Sequence, residues 1–247
     1  MRARSATAVL AAAVGLGLVT GRFVLPAHSP APSAPSTAPS TSLPGAGSAL
    51  PKAATGPLTE QNLLAAAEFE AVGISQHIYV RDRVGDGTYA NAACAGEKTL
   101  GETLGGPGAH FRGLVTTTQT DPTDPTLAVG SGGQVAREVA ADALSQALAQ
   151  NYTERLLLEE VPCQDEPAGH WVYGPTRTLD VAPGIAASWM GTYQGALNTA
   201  GAAPKDKEPC GGIAVLRSGT HYAFLQVNAC LDTAAMTRIV RAAVVRL

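Results

Sequence analysis

Four cysteines and five histidines are the residues of this 247-residue chain best suited to metal or nucleophilic chemistry, and neither set is spaced for it. Cys94, Cys163, Cys210 and Cys230 lie far apart, with no Cys-x-x-Cys pair and no histidine placed to complete a zinc site. His28 sits in a Pro/Ser-rich stretch. His77, His110, His170 and His221 fall within or beside expected strands, where a half-exposed position is the ordinary role. No metal and no cofactor is expected from this pattern. Gly130-Ser131-Gly132-Gly133 has the look of a hydrolase loop. A nucleophile elbow needs Gly-x-Ser-x-Gly between strand and helix, however, and Ser131 has glycine directly on both sides. Gly105-Gly106-Pro107-Gly108 lacks the Gly-Lys-Ser/Thr ending of a phosphate loop, and its proline removes a backbone donor. The acidic pairs Asp121/Asp124, Glu159/Glu160 and Asp165/Glu166 stand beside prolines or helix ends and read as solvated. No catalytic site is expected. A hydrolase would have to assemble one from dispersed residues such as Ser131, His110 or His170.

Charge excludes another class of function. The net charge is −3 and charged residues make up 15% of the chain, against about a quarter in a typical soluble domain. The dense Lys/Arg face of a nucleic-acid binder is absent.

The N-terminus bears on compartment. Arg2 and Arg4 precede an apolar run from Ala8 to Val19, interrupted by Thr20, Gly21 and Arg22 and resumed by Phe23-Val24-Leu25. That is the layout of a signal peptide, or of an uncleaved anchor if Arg22 snorkels. Residues 1–26 are therefore expected to export or anchor the chain. Residues 27–56, rich in Pro, Ser, Ala and Thr, hold too little bulky apolar area to offset the entropy of ordering and read as a spacer. Residues 57–247 form the expected folded domain. In an exported protein, four such cysteines are expected to form two disulfides.

The elements of that domain follow from pattern. Leu58-Thr59-Glu60 opens a helix with Thr59 as N-cap, ending near Gly73. Residues 74–84 read as extended, His110 to Thr120 as a strand, and Thr126 to Val129 as another short one. From Gln134 to Tyr152, apolar residues at three- and four-residue spacing predict a helix, with Val135, Val139, Ala143, Leu144 and Ala147 on one side. Leu156 to Val161 fits either a helix end or a strand. His170 to Asp180 predicts a strand interrupted at Gly174-Pro175, and Val181 to Tyr193 continues it.

Trp171, Tyr173, Trp189 and Tyr193 are the large aromatics here. Strand periodicity assigns them to the core; the functional alternative is that they line a cleft. Near the end, two apolar runs flank Ser218-Gly219, a turn dipeptide. A turn at that point opposes Val215 to Tyr222 and Ile213 to Phe224. It also brings Cys210 and Cys230 to the open end of the hairpin, where a disulfide is geometrically reasonable. Asp232 then caps a last helix whose stripe is Met236, Ile239, Val240, Ala243, Val244 and Leu247.

This layout resembles the PknH-like extracellular sensor domain family, which includes stand-alone exported proteins. The likeness rests on the export signal or anchor, the Pro/Ser/Ala linker and the opening at Leu58-Thr59. Two distant cysteines, then Cys210, a hairpin, Cys230 and an amphipathic helix complete it. It covers 57–247. It implies an α+β domain, an antiparallel β-sheet with helices packed on it and two disulfides, paired Cys94–Cys163 and Cys210–Cys230. It also implies a cleft for an unidentified ligand. The sequence departs from the kinase members of that family in having no kinase domain and a longer separation between the middle cysteines. The function expected is that of a non-catalytic, sensor-like or ligand-binding domain at the cell envelope. It would be secreted or anchored to the outer face of the cytoplasmic membrane, touching the membrane only through its N-terminal segment. Its partner would be an envelope ligand or protein, with no nucleic acid. The alternatives are the dispersed-site hydrolase and a purely structural envelope module.

Overall fold

The computed structural model describes residues 50–85, 107–160, 171–194 and 206–247. Eight strands are present: β1 (Tyr79–Val84), β2 (His110–Val115), β3 (Gln134–Asp142), β4 (Trp171–Tyr173), β5 (Arg177–Ala182), β6 (Ile185–Gln194), β7 (Gly212–Ser218) and β8 (His221–Val227). They form one antiparallel sheet in the order β1-β2-β3-β8-β7-β6, with β4 and β5 both paired to the outer edge of β6. Gly174-Pro175-Thr176 separates β4 from β5, as the Gly-Pro pair predicts. A 3₁₀ turn at Glu60–Asn62, α1 (Ala66–Glu70), α2 (Gln146–Glu160) and α3 (Thr233–Arg246) complete the described elements, with a second short 3₁₀ turn at Ser131–Gly133. The fold class is α+β, as expected.

Strand alternation sends every second residue to one face. On the first face, the cross-strand row Arg112–Glu138–Leu225–Ala214–Trp189 is continued by Leu216, Ala223 and Ile185. Helix α3 covers it with Met236, Ile239, Val240, Ala243 and Val244, all buried. Asp232 caps this helix by accepting a hydrogen bond from the Ala235 N–H at 2.8 Å, as its sequence position predicts. On the second face the row is Arg83–Phe111–Val139–Phe224–Val215–Ser188–Thr178. Helix α2 covers only its centre, packing on β7 and β8 through Ala149, Tyr152 and Leu156.

Four expectations need correction. The helix expected over Gln134 to Tyr152 is the strand β3 followed by a helix that starts at Gln146. β3 is central and buried on both faces, so its apolar residues do not alternate, and small alanines mimic a helical stripe. The hairpin turn lies at Gly219-Thr220, one residue later than expected, which pairs Val215 with Phe224 and Ser218 with His221. A turn shifted by one residue moves the pairing by two, so each side chain keeps its face. Gly219 adopts φ +61°, and a Cβ there would sit 2.0 Å from the Ala54 carbonyl oxygen. The expected helix from Thr59 to Gly73 is broken at Leu63–Ala65 into the 3₁₀ turn and α1. Side chains of the sheet and of α3 take the backbone groups in that break. Thr126–Val129 contributes only an isolated bridge, Thr120 to Ala128.

Cys210 and Cys230 are bonded at the hairpin mouth. Cys94 and Cys163 lie outside the described residues, so one of the two expected disulfides is seen. Among the described residues no helix is long and apolar enough to cross a membrane.

Candidate functional site

On the α3 face, charge is buried and almost fully used. Arg112 donates to both carboxylate oxygens of Asp82 at 2.7 Å, and its Nη1 donates to the carbonyls of Leu63 and Leu64 at 3.1 and 2.9 Å. Arg246 Nε donates to the Leu63 carbonyl at 2.9 Å, and its Nη1 lies 3.5 Å from Glu68. Glu138 accepts from the Leu64 N–H at 2.7 Å. These bonds explain why the helix opens at Leu63. Burial pushes the Glu138 carboxyl up to about 7, against the opposing pull of the Leu64 N–H, Arg112 and Arg246. Burial disfavours the Arg112 charge, but the Asp82 hydrogen bonds and charge outweigh it and raise its pKa.

His221, expected to be a half-exposed strand residue, is 2% exposed. Its Nδ1 lies 2.6 Å from the backbone oxygen of Leu247, and its Nε2 lies 2.9 Å from both the Gly56 carbonyl and Asp142 Oδ1. Asp142 Oδ2 also accepts from the Leu58 N–H at 2.9 Å, and Ser218 Oγ from the Ala54 N–H at 3.2 Å. The chain just before and after Pro57 is thereby strapped across the hairpin turn. These partners make His221 a fastening rather than a reactive group.

The α2 face is different. The loop around Thr126 covers its β2 end so closely that a Cβ on Gly113 would lie 1.6 Å from the Thr126 carbonyl oxygen. Helix α2 covers the centre. Beyond it, no described element covers β5 and β6, and a groove of about 210 Å³ opens between α2 and the sheet. Its floor and walls include Thr178, Asp180, Ala186, Ser188, Arg217 and, from α2, Glu154. Thr178 and Ser188 face each other with their hydroxyl oxygens 3.4 Å apart. Glu154 accepts from Gln150 Nε2 at 3.0 Å. Arg217 and Asp180 make no hydrogen bond or ion pair among the described residues. A second concavity of about 460 Å³ lies at the hairpin mouth, lined by uncharged groups such as Ser75, Gln76, Thr116 and Asn228. Gln134, also in its wall, is committed to the Ala128 N–H and the Ala136 carbonyl. The groove beside α2 is therefore the better candidate, because its charged side chains are unspent.

Three of the four aromatics raised as cleft residues have described side chains. Trp189 is 1% exposed and belongs to the core under α3; Tyr173 and Tyr193 are 8% and 5% exposed. Trp171 lies in β4, paired with Gln194. Trp189, Tyr173 and Tyr193 line neither concavity. Ser131 and His110 are not brought together. His110 begins β2, whereas Ser131 precedes Gln134, which pairs with the far end of that strand. Five strand steps separate the two ends, roughly 17 Å. His170 lies outside the described residues. No cluster of three His, Cys, Asp or Glu side chains fit to hold a metal ion occurs among the described residues.

No family model and no curated protein matches the sequence. Among solved structures the chain is similar to the extracellular domain of PknH from Mycobacterium tuberculosis. Identity is 12%, the match covers 76% of this chain and 96% of that one, and the TM-score is 0.44.

Proposed function

We propose that this chain is an extracytoplasmic, non-catalytic binding domain of the sensor type, distantly PknH-like, which takes an envelope ligand in the groove beside α2. The observation that carries this reading is the half-covered second face. One side of the sheet is sealed by α3 and the strap, while the other leaves Arg217 and Asp180 beside a concavity with no partner among the described residues. The Cys210–Cys230 bond fits an oxidising compartment. Residues 1–26 as signal or anchor and the Pro/Ser-rich stretch that follows, up to the strap at residues 53–56, as spacer would present the domain outside the cytoplasmic membrane.

The test is thermal unfolding of the full chain with and without the small-molecule fraction of a cell-envelope extract. A ligand at a hundredfold excess over its Kd stabilises by about 2.7 kcal/mol, which raises Tm by roughly 5–10 °C in a domain of this size. Ala186→Trp, which fills the groove floor, is expected to remove that shift. An equal shift in the variant, or steady release of a hydrolysis product from the extract by the wild type, would overturn the proposal.

A further inference from the structure

The register of β5, β6 and β7 places opposite charges at a fixed spacing across the groove floor. Asp180 pairs with Ala186, and Ala186 pairs with Arg217, so the three form one cross-strand row on the same face. Two strand spacings separate the outer pair, about 10 Å between backbones. Ala186 between them contributes only a methyl group, which leaves the space above the row open. Arg217 is half-buried, yet no carboxylate among the described residues reaches it. Glu154 adds a second carboxylate from the α2 wall, and Thr178 and Ser188 offer hydroxyls in the next row.

A simple anion in this groove meets two carboxylates, and a simple cation meets a guanidinium. A ligand carrying both signs meets neither penalty. Guanidinium binds a carboxylate or phosphate through two parallel N–H bonds, and an ammonium on the same ligand finds Asp180 and Glu154. The volume of about 210 Å³ is below the range of about 300–1,000 Å³ typical of drug-sized sites, which limits the ligand to a few residues or a headgroup. The geometry points to a small zwitterion, held anion-first on Arg217 and cation-first on Asp180 and Glu154. This rests on the groove being the binding site.

A short peptide and a phospholipid headgroup share this chemistry, and titration separates them. The amide signals of Ala186, Ser188 and Arg217 in the full chain are followed by NMR against four probes. These are alanylalanine, its N-acetyl form, its C-terminal amide, and phosphoethanolamine. Saturable shifts are expected with alanylalanine or phosphoethanolamine, the tighter of the two naming the source, and at least tenfold weaker binding with either capped peptide. Arg217→Ala and Asp180→Asn are each expected to weaken the zwitterion about tenfold, with partial recovery in Arg217→Lys. Capped and uncapped peptides binding equally well in the groove would overturn the charge pairing and leave the groove standing as the site. No groove shift with any probe would also overturn the zwitterion inference. If, in addition, envelope extract fails to stabilise the chain, the groove reading falls with it.

Discussion

The two faces of this sheet handle charge in opposite ways. Under α3, Arg112, Asp82, Glu138, Asp142 and His221 are drawn into the fold and spent on backbone groups of the N-terminal strap and of Leu63–Leu64. Beside α2, Arg217 and Asp180 stand on neighbouring strands of the same sheet with no such partners. The cover explains the difference. α3, the strap and α1 enclose the first face, so any charge there must be paired to be tolerated. α2 packs on β7 and β8, and among the described residues no element covers β5 and β6, so charges there need no partner within the described fold. Among the described residues, charge is thus committed on one side of the sheet and uncommitted at Arg217 and Asp180 on the other.

The largest effect is expected at Arg112. Arg112→Ala leaves the Asp82 carboxylate and the Leu64 carbonyl without their donor, the Leu63 carbonyl with Arg246 alone, and Glu138 without its main counter-charge. Breaking a fully buried pair costs about 3–5 kcal/mol, and because Asp82 is part-exposed the loss here is expected to fall below that range. Urea unfolding should show a matching fall in midpoint, and Asp82→Asn a smaller one. Wild-type stability in both variants would mean the α3 face is not held by this network.

Next comes Glu138. Its folded pKa of about 7 exceeds the ordinary value of 4.5, so the folded state binds the proton more tightly than the unfolded chain does. Stability associated with this group is full below pH 4.5 and falls as pH rises towards 7, by a few kcal/mol at most. Glu138→Gln should abolish this component. The difference in unfolding free energy between variant and wild type is expected to shift in favour of the variant from pH 4.5 to 7.5. A constant difference would show that the fold does not raise the Glu138 pKa.

The closed face was partly legible in the sequence and the open face hardly at all. α3 has one solvated side, so Met236, Ile239, Val240, Ala243 and Val244 stand out at helical spacing. The β7–β8 hairpin kept its predicted faces because period-two alternation survives a two-residue register shift. β3 has no solvated side, and the signal that separates strand from helix vanished with it. His221 looked like any strand histidine because Gly56 is distant in sequence and meets it only through the fold. The groove residues Thr178, Asp180, Ser188 and Arg217 read as ordinary polar strand positions. Only the pairing of three strands places them side by side, and that pairing is a tertiary fact. Alternation in β5 was the one available hint, since Thr178 and Asp180 share a face.

The smallest effect on stability is expected at Arg217, and it separates the two faces most sharply. Arg112 and Arg217 are both arginines on strands of one sheet, so composition and propensity do not distinguish them. Their surroundings do, because the first holds four hydrogen bonds and the second none among the described residues. Removing a guanidinium with no partner leaves no orphaned acceptor behind, and its neighbours on the groove floor are the small Ala186 and Ser188. Arg217→Ala should therefore change the unfolding free energy by no more than about 0.5 kcal/mol. A loss comparable with that of Arg112→Ala would show that the groove charge is structural, and the division of labour between the faces would fail.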